Sequence, residues 1–518
     1  MNADVNGRII IPAGDPRYES LLRGTNHRFV AKPDQVCVVT STEQVVAAVG
    51  EAVAAGLRVA VRSGGHGFEG FFATEGGVLL DLSEMTEVSY DPARAAFAIQ
   101  PGATLGHVYR VLFKGWNVTI PGGECTEVGV GGHFAGGGYG PLSRRLGAVV
   151  DYLYAVEVVV VDADGTARAI VATREPGDPH RELWWAHTGG GGGNFGVVTR
   201  YWVRSPGVVS ADPAKLLPKA PSRWRVAYCM WPWESMTRES FTTLLRNTGT
   251  WFERNSAPGS PHAQHSASFY ASHRSGGALL LQAMVDDEIP GAADLIDAYF
   301  DTVGEGVGVP STRTHTVRPW LYFAAYPNWG DPGTQDIRRI KIKAAYLRKG
   351  YTEPQLAAIW EHLTGEEGTG NQLILIGYGG QVNTVAPDAT ATAQRDSVLK
   401  AAYMAVWGDE ADDHRHIARL REFYRDVYAD TGGVPVPGGA GDGSYINYPD
   451  VDLADPAWNT SGVPWSALYY KDNYPRLREV KRRYDPRDEF RHALSVQLPG
   501  TPRDTPPGTP PGTLPGAP

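Results

Sequence analysis

Leu57-Arg58-Val59-Ala60-Val61-Arg62-Ser63-Gly64-Gly65-His66-Gly67 is a β-branched run that empties into a glycine loop around one imidazole. Upstream, Val36 to Val39 is a similar run, and Thr40-Ser41-Thr42-Glu43-Gln44 then offers overlapping capping boxes. Val45, Val49 and Val53 recur at four-residue spacing, and Gly56 closes the helix. The pattern predicts a strand, a helix, and a second strand from Leu57 to Val61 that delivers the chain into Ser63-Gly64-Gly65-His66. Glycine lets backbone approach a bulky ligand closely and adopt positive φ, so this exit loop is built to hold something.

Two more glycine stretches have the same character. Pro121-Gly122-Gly123-Glu124-Cys125 frames a second nucleophilic side chain, and it runs on through Val128-Gly129-Val130 into Gly131-Gly132-His133-Phe134-Ala135-Gly136-Gly137-Gly138-Tyr139-Gly140. That run is too rich in glycine for a stable helix and is expected to lie as a loop along a cofactor, its amides free to cradle phosphate. A mobile surface loop is the alternative, but Phe134 and Tyr139 both call for burial. Gly191-Gly192-Gly193-Asn194-Phe195-Gly196 satisfies the G-x-G-x-x-G pattern. A dinucleotide fingerprint needs a helix after it, whereas Val197 to Trp202 reads as a strand, so the Rossmann reading is rejected.

The chain has 518 residues, more than one hydrophobic core usually serves, and two domains are expected. With 42% hydrophobic and 20% charged residues it is an ordinary globular composition, and a net charge of −9 excludes a basic nucleic-acid footprint. Cys37, Cys125 and Cys229 are too few and too scattered for a disulfide framework, and no apolar run approaches membrane-spanning length. The first residues lack a secretory pattern, so a bacterial cytoplasmic location is the expectation. Further strands are expected at Val78–Leu82, Ala96–Ile99 and Val156–Val161, with a helix over Thr104–Phe113. From about Pro206 aromatic strands (Val226–Trp231, Ser266–Ala271, Leu279–Val285, Leu373–Tyr378, Ala401–Trp407) alternate with helices (Glu239–Asn255, Pro354–Leu363, His414–Tyr428). This texture predicts an antiparallel sheet with helices on one face. Gly432 to Gly439 marks a crossing back, and the Pro/Gly-rich end at 499–518 is expected to be a disordered tail. His414 and His416 lack a third ligand at useful spacing, so no metal site is expected. No G-x-S-x-G elbow supports a hydrolase.

On Arg62 to Gly67, Gly122 to Gly140, Trp184 to Tyr201 and Tyr445-Ile446-Asn447-Tyr448-Pro449-Asp450, the chain resembles the berberine bridge enzyme-like FAD-linked oxidases, in particular the actinobacterial enzymes that tailor natural products. The resemblance spans residues 15–498. Two departures are visible: Gly67 stands where relatives often carry Cys, Ser or Asn, and the 59 positions from His66 to Cys125 make that spacing one residue short. Neither removes a reactive atom.

The resemblance implies an α+β architecture: a two-part FAD-binding domain of the PCMH type (1–205 and the returning segment 440–498) and a substrate domain (206–439) with an antiparallel sheet flanked by helices. It implies FAD attached through His66 and Cys125, each of which alone would read as a structural histidine and an inert buried thiol. Arg62, Ser63, Gly64, Gly65 and Gly67 would line the first loop around the cofactor. Gly131, Gly132, His133 and Gly138 would lie in the second, and Gly192, Asn194 and Val198 in the third. Tyr445 and Asn447 would hold the cofactor from a turn before Pro449. Tyr448 would be the base that takes a hydroxyl proton while hydride leaves for the flavin, with molecular oxygen reduced to hydrogen peroxide. A phenol's ordinary pKa is near 10, so Tyr139 and Tyr378 are candidate donors that stabilise its phenolate. Two core aromatics is the plain alternative for Tyr445 and Tyr448. The implied substrate is a small molecule, an alcohol, hemiacetal or sugar hydroxyl of a secondary metabolite. A general oligosaccharide oxidase is the alternative, and a silent flavin carrier is disfavoured by Tyr448. Trp231-Pro232-Trp233 is a candidate pocket wall.

Overall fold

The computed structural model describes residues 7–325, 338–366 and 368–500, so the expected tail lies outside the described residues from 501 onward. The opening strand–helix–strand unit forms as its pattern requires. β1 (Ile9–Pro12), β2 (Gln35–Val38), β3 (Val59–Arg62) and β4 (Val78–Asp81) make a sheet ordered β1-β2-β4-β3, parallel across β2, β4 and β3. The connecting helix, Thr42–Ala54, starts at Ser41, whose hydroxyl accepts from the Gln44 N–H while the Gln44 amide oxygen accepts from the Thr40 N–H. Its buried stripe of Val45, Val49 and Val53 packs between this sheet and the next.

That next sheet is antiparallel: β5 (Val88–Asp91), β6 (Ala96–Ile99), β7 (Leu153–Val161), β8 (Ala167–Thr173) and β9 (Val197–Val203), ordered β5-β6-β9-β7-β8. β9 follows the third glycine loop directly, which is why no dinucleotide helix can begin there. One expectation fails: Val130–Ala135 is a short helix despite its two glycines. Val130, Phe134 and Ala135 are buried from it, so tertiary packing offsets the poor propensity.

The third sheet is antiparallel throughout. β10 (Arg223–Pro232), β11 (His265–Ser272), β12 (Ala278–Asp286), β13 (Thr312–Pro319), β14 (Arg339–Leu347), β15 (Asn371–Gly377) and β16 (Leu399–Trp407) are ordered β13-β10-β12-β11-β15-β16-β14. Helices Ala292–Gly304 and Asp413–Val427 pack on it, the first against β10 and β12, the second against β14 and β16. Among the described residues no helix is long and apolar enough to cross a membrane.

β14 reads as polar–apolar alternation (Arg339-Ile340-Lys341-Ile342-Lys343), yet every residue of it is buried. Lys341 and Lys343 end in a dry cluster of carboxylates. Lys341 Nζ lies 2.7 Å from Glu69 and 2.8 Å from Asp450, and Lys343 Nζ lies 2.5 Å from Asp450 and 2.9 Å from Asp452. Burial raises the Asp452 carboxyl, but Lys343, Lys341 and Arg421 outweigh it and hold Asp452 far below the usual carboxylate range. That contribution is whole at neutral pH and is lost as pH falls below the unfolded value near about 4. Asp450→Ala should cost about 3–5 kcal/mol, because it takes one carboxylate from each of two buried ammonium groups and leaves the cluster with excess positive charge. Denaturant midpoints of the two proteins measure this, and an unchanged midpoint would refute it.

Candidate active site

The three glycine loops and the open face of the third sheet enclose one cavity of about 560 Å³. The first two loops cross at Gly64 and Gly129, where an added Cβ on either glycine would strike the other's backbone amide. Ser63 fixes this crossing by donating to the Pro101 carbonyl at 2.6 Å. Arg62 is committed to the scaffold: its guanidinium bonds Asp81 at 2.5 Å, the Arg23 carbonyl at 3.1 Å, and the Leu21 carbonyl. It therefore shapes the loop rather than offering a free charge.

His66 and Cys125 both line the cavity. Burial lowers the His66 imidazole, which keeps it neutral and nucleophilic. Cys125 faces open space at the surface of the cavity, while the protein behind it raises its thiol to about 11, through burial first and the Glu124 charge second. Its resting form at neutral pH is therefore the thiol.

From the second loop, His133 Nε2 accepts from the Gly123 N–H at 3.2 Å, and burial with the Lys400 charge pulls its imidazole down to about 4. Gly131 and Gly132 line the cavity, and a Cβ on Gly132 would meet no protein atom within 4 Å. Gly138 is off the wall, donating its N–H to the Tyr445 hydroxyl at 3.2 Å. In the third loop Gly192 and Asn194 are on the wall, and Val198 joins them from β9. The Asn194 amide donates to the Gly190 and Gly191 carbonyls at 3.0 and 3.1 Å, and its oxygen accepts from the Val496 N–H at 2.8 Å. These bonds tie the loop to the end of the chain.

Tyr445 to Tyr448 form a turn closed by the Tyr448 N–H on the Tyr445 carbonyl at 2.9 Å. Asn447 donates to the His133 carbonyl at 3.0 Å and to the Tyr445 hydroxyl at 3.1 Å, which clamps the turn onto the glycine run. The Tyr448 and Tyr139 hydroxyls are 2.8 Å apart on the cavity wall. Burial raises Tyr448 to about 12 against the stabilising bond from Tyr139. Tyr378 is a correction: it is off the wall, with its hydroxyl 3.5 Å from the Gln394 carbonyl, and meets Tyr139 only edge to face. Trp231 and Trp233 are also core residues rather than pocket wall; Trp233 stacks on Phe241.

The sequence reading missed Lys400. Its Nζ sits 3.2 Å from the Tyr139 ring centre, 3.7 Å from Tyr445, 4.6 Å from Tyr346 and 4.7 Å from Tyr378. Burial and Arg395 push its amine well below the usual range. A lysine in an otherwise apolar strand, Leu399–Trp407, was the available signal. Glu124, Tyr270 and His492, all on the wall, were also missed.

The loops that carry this geometry match a family model described as an FAD binding domain over residues 33–170, and residues 444–497 match one described as berberine and berberine like. Aclacinomycin-N/aclacinomycin-A oxidase of Streptomyces galilaeus is 53% identical over 94% of this chain and 89% of its own. The chain belongs to the berberine bridge enzyme-like FAD-linked oxidoreductases. The crystal structure of aclacinomycin oxidoreductase aligns with a TM-score of 0.92 at 52% identity, covering 95% of this chain and all of that one (100%). A glycopeptide hexose oxidase complexed with teicoplanin aligns at 0.90 and 50% identity, over 95% and 99% of the two chains. The protein is thus an FAD-dependent enzyme, and the site fits that group: glycine walls with space before them and two nucleophiles whose side chains make no hydrogen bond among the described residues. Gly64→Ala or Gly129→Ala should force the crossing loops apart. The ratio of flavin to protein absorbance in purified material should fall severalfold, and full flavin content would refute the close-crossing argument.

Proposed function

We propose that the protein oxidises an alcohol, hemiacetal or sugar hydroxyl of a secondary metabolite, with FAD covalently held by His66 and Cys125. The relatives named for aclacinomycin and for a glycopeptide support a natural-product substrate. In this reading residues 1–205 and 440–498 serve the cofactor and 206–439 the substrate. Bound FAD would accept the carbinol hydride and pass the electrons to molecular oxygen, yielding hydrogen peroxide.

The observation that carries the reading is the 2.8 Å Tyr448–Tyr139 hydrogen bond on the wall shared with His66 and Cys125. Once its own proton has left to solvent, the Tyr448 phenolate takes the substrate hydroxyl proton, and Tyr139 donates to the phenolate oxygen beforehand. Lys400, set against the Tyr139 face, gains proton affinity as negative charge develops on the tyrosine pair, and the ammonium it forms by taking a proton from solvent then supports that charge. Asn447 and Tyr445 hold the base turn against the second glycine loop.

Acid-precipitated protein should stay yellow and yield a flavopeptide carrying both His66 and Cys125. His66→Ala and Cys125→Ala should each keep one link, and the double variant should release FAD. Release of free FAD from the unaltered protein would sink the bicovalent reading.

Tyr448→Phe should lower the anaerobic flavin-reduction rate by roughly 10²–10⁴-fold while the flavin stays attached. Since burial holds Tyr448 near about 12, the rate in the unaltered protein should climb with pH through the alkaline range. Lys400→Met should displace that climb to higher pH. Near-normal reduction by Tyr448→Phe, with loss in Tyr139→Phe, would move the base to Tyr139. Peroxide release across a panel of oligosaccharides and natural-product glycosides separates a tailoring oxidase from a general carbohydrate oxidase.

A further inference from the structure

Three titratable side chains on the cavity wall have neither a hydrogen bond nor an ion pair among the described residues: His66, Cys125 and Glu124. The first two are the FAD tethers of the reading above. Glu124 is left over. Its charge reaches Tyr109, Cys125, Tyr139, Tyr270 and Tyr448, each of which it raises. None of the neighbouring hydroxyls serves it. Tyr109 donates to the Gly123 carbonyl at 2.7 Å, Tyr139 and Tyr448 bond each other at 2.8 Å, and Tyr270 lies 3.4 Å from the Gln282 side-chain oxygen. The other carboxylate on the cavity wall, Glu69, already holds Lys341 at 2.7 Å. Burial pushes Glu124 up to about 7, as expected of a carboxyl that has no ion pair among the described residues; the Arg338 charge reaches the adjacent Cys125.

A substrate that fills the cavity strips the remaining water from this carboxyl. A neutral hydroxyl would give it one hydrogen bond and leave the charge uncompensated, whereas an ammonium cancels the charge and donates as well. The rest of the sheet wall suits the body of such a molecule. Ile374, Ile376 and Met404 are apolar, and Tyr270 on the sheet and Phe68 on the first loop are aromatic, a lining compatible with the carbons beside a cation.

We propose that Glu124 is a specificity residue that receives a protonated amine, so that the preferred carbinol substrate carries an amino group, as an amino sugar or alkylamino-substituted ring does. The inference rests on the oxidase reading of this cavity and names the substrate class within it. An arriving ammonium draws the Glu124 carboxyl back toward its ordinary range, and the pair is then ionised at neutral pH.

The test uses cyclohexylammonium and cyclohexanol, which share a ring and differ in charge. Each is titrated anaerobically into the FAD-loaded protein at about pH 8, where both Glu124 and the amine are charged, and the shift in flavin absorbance reports binding. The ammonium should bind about 10-fold or more tightly than the alcohol. Glu124→Gln should erase the difference and Glu124→Asp should keep part of it. Equal binding to the unaltered protein overturns the proposal. So does a preference that survives in Glu124→Gln, which would trace to the protein's overall negative charge. The readout is equilibrium binding and needs no turnover. A flavin left oxidised by every carbinol would therefore overturn the oxidase reading without touching this result.

Discussion

Five charges shut away from water at one point hold the active cavity in shape. Lys341 and Lys343 come from the edge strand of the large sheet, Glu69 from the loop just past His66, and Asp450 and Asp452 from the segment just past Tyr448. Each of these residues is buried to within 4% of full enclosure. No one of them is tolerable there alone, since an isolated ion in a dry interior is costly. The three segments must therefore arrive together or not at all. Their meeting fixes the distances from sheet to tether loop to base turn, and every feature of the cavity inherits that spacing.

Inside the cavity burial favours neutral forms. Cys125 and Tyr448 are pushed up to about 11 and 12, and His133 and His492 down to about 4 and 3. A reaction that makes charge in such a place depends on fixed groups supporting it where it appears. The tyrosine pair with the Lys400 amine at its back is one such place. Glu124 is another.

Local pattern carried much of this into view. Valines at four-residue spacing, the capping residues around Ser41 and the β-branched run into Gly64 fix their own structure, because helix and turn chemistry act over a few residues. The tyrosine turn before Pro449 was legible for the same reason. β14 was not, because its lysines look like a solvent face until partners over 100 positions away are known. Lys400 was hidden likewise: its pairing with Tyr346 is set by the β14–β16 register, which no local window contains. The helix at Val130–Ala135 went against its composition because three of its side chains are swallowed by the core. Tyr378 resembled a catalytic donor by its neighbours in sequence, yet the strand ending at Gly377 turns it behind Tyr139 instead of into the cavity.

The large sheet has one further consequence. On β11 the cavity takes Ser266, Ser268 and Tyr270, and on β15 and β16 it takes Ile374, Ile376, Ala402 and Met404, each set at every second position. The residues between them point to the opposite face, where helices pack. Shape and polarity of the chamber are thus written on one set of letters and the integrity of the fold on another, interleaved but separable. A lineage built on this sheet can re-tailor what it accepts by changing alternate positions, while the scaffold that holds cofactor and base continues unread and unaltered.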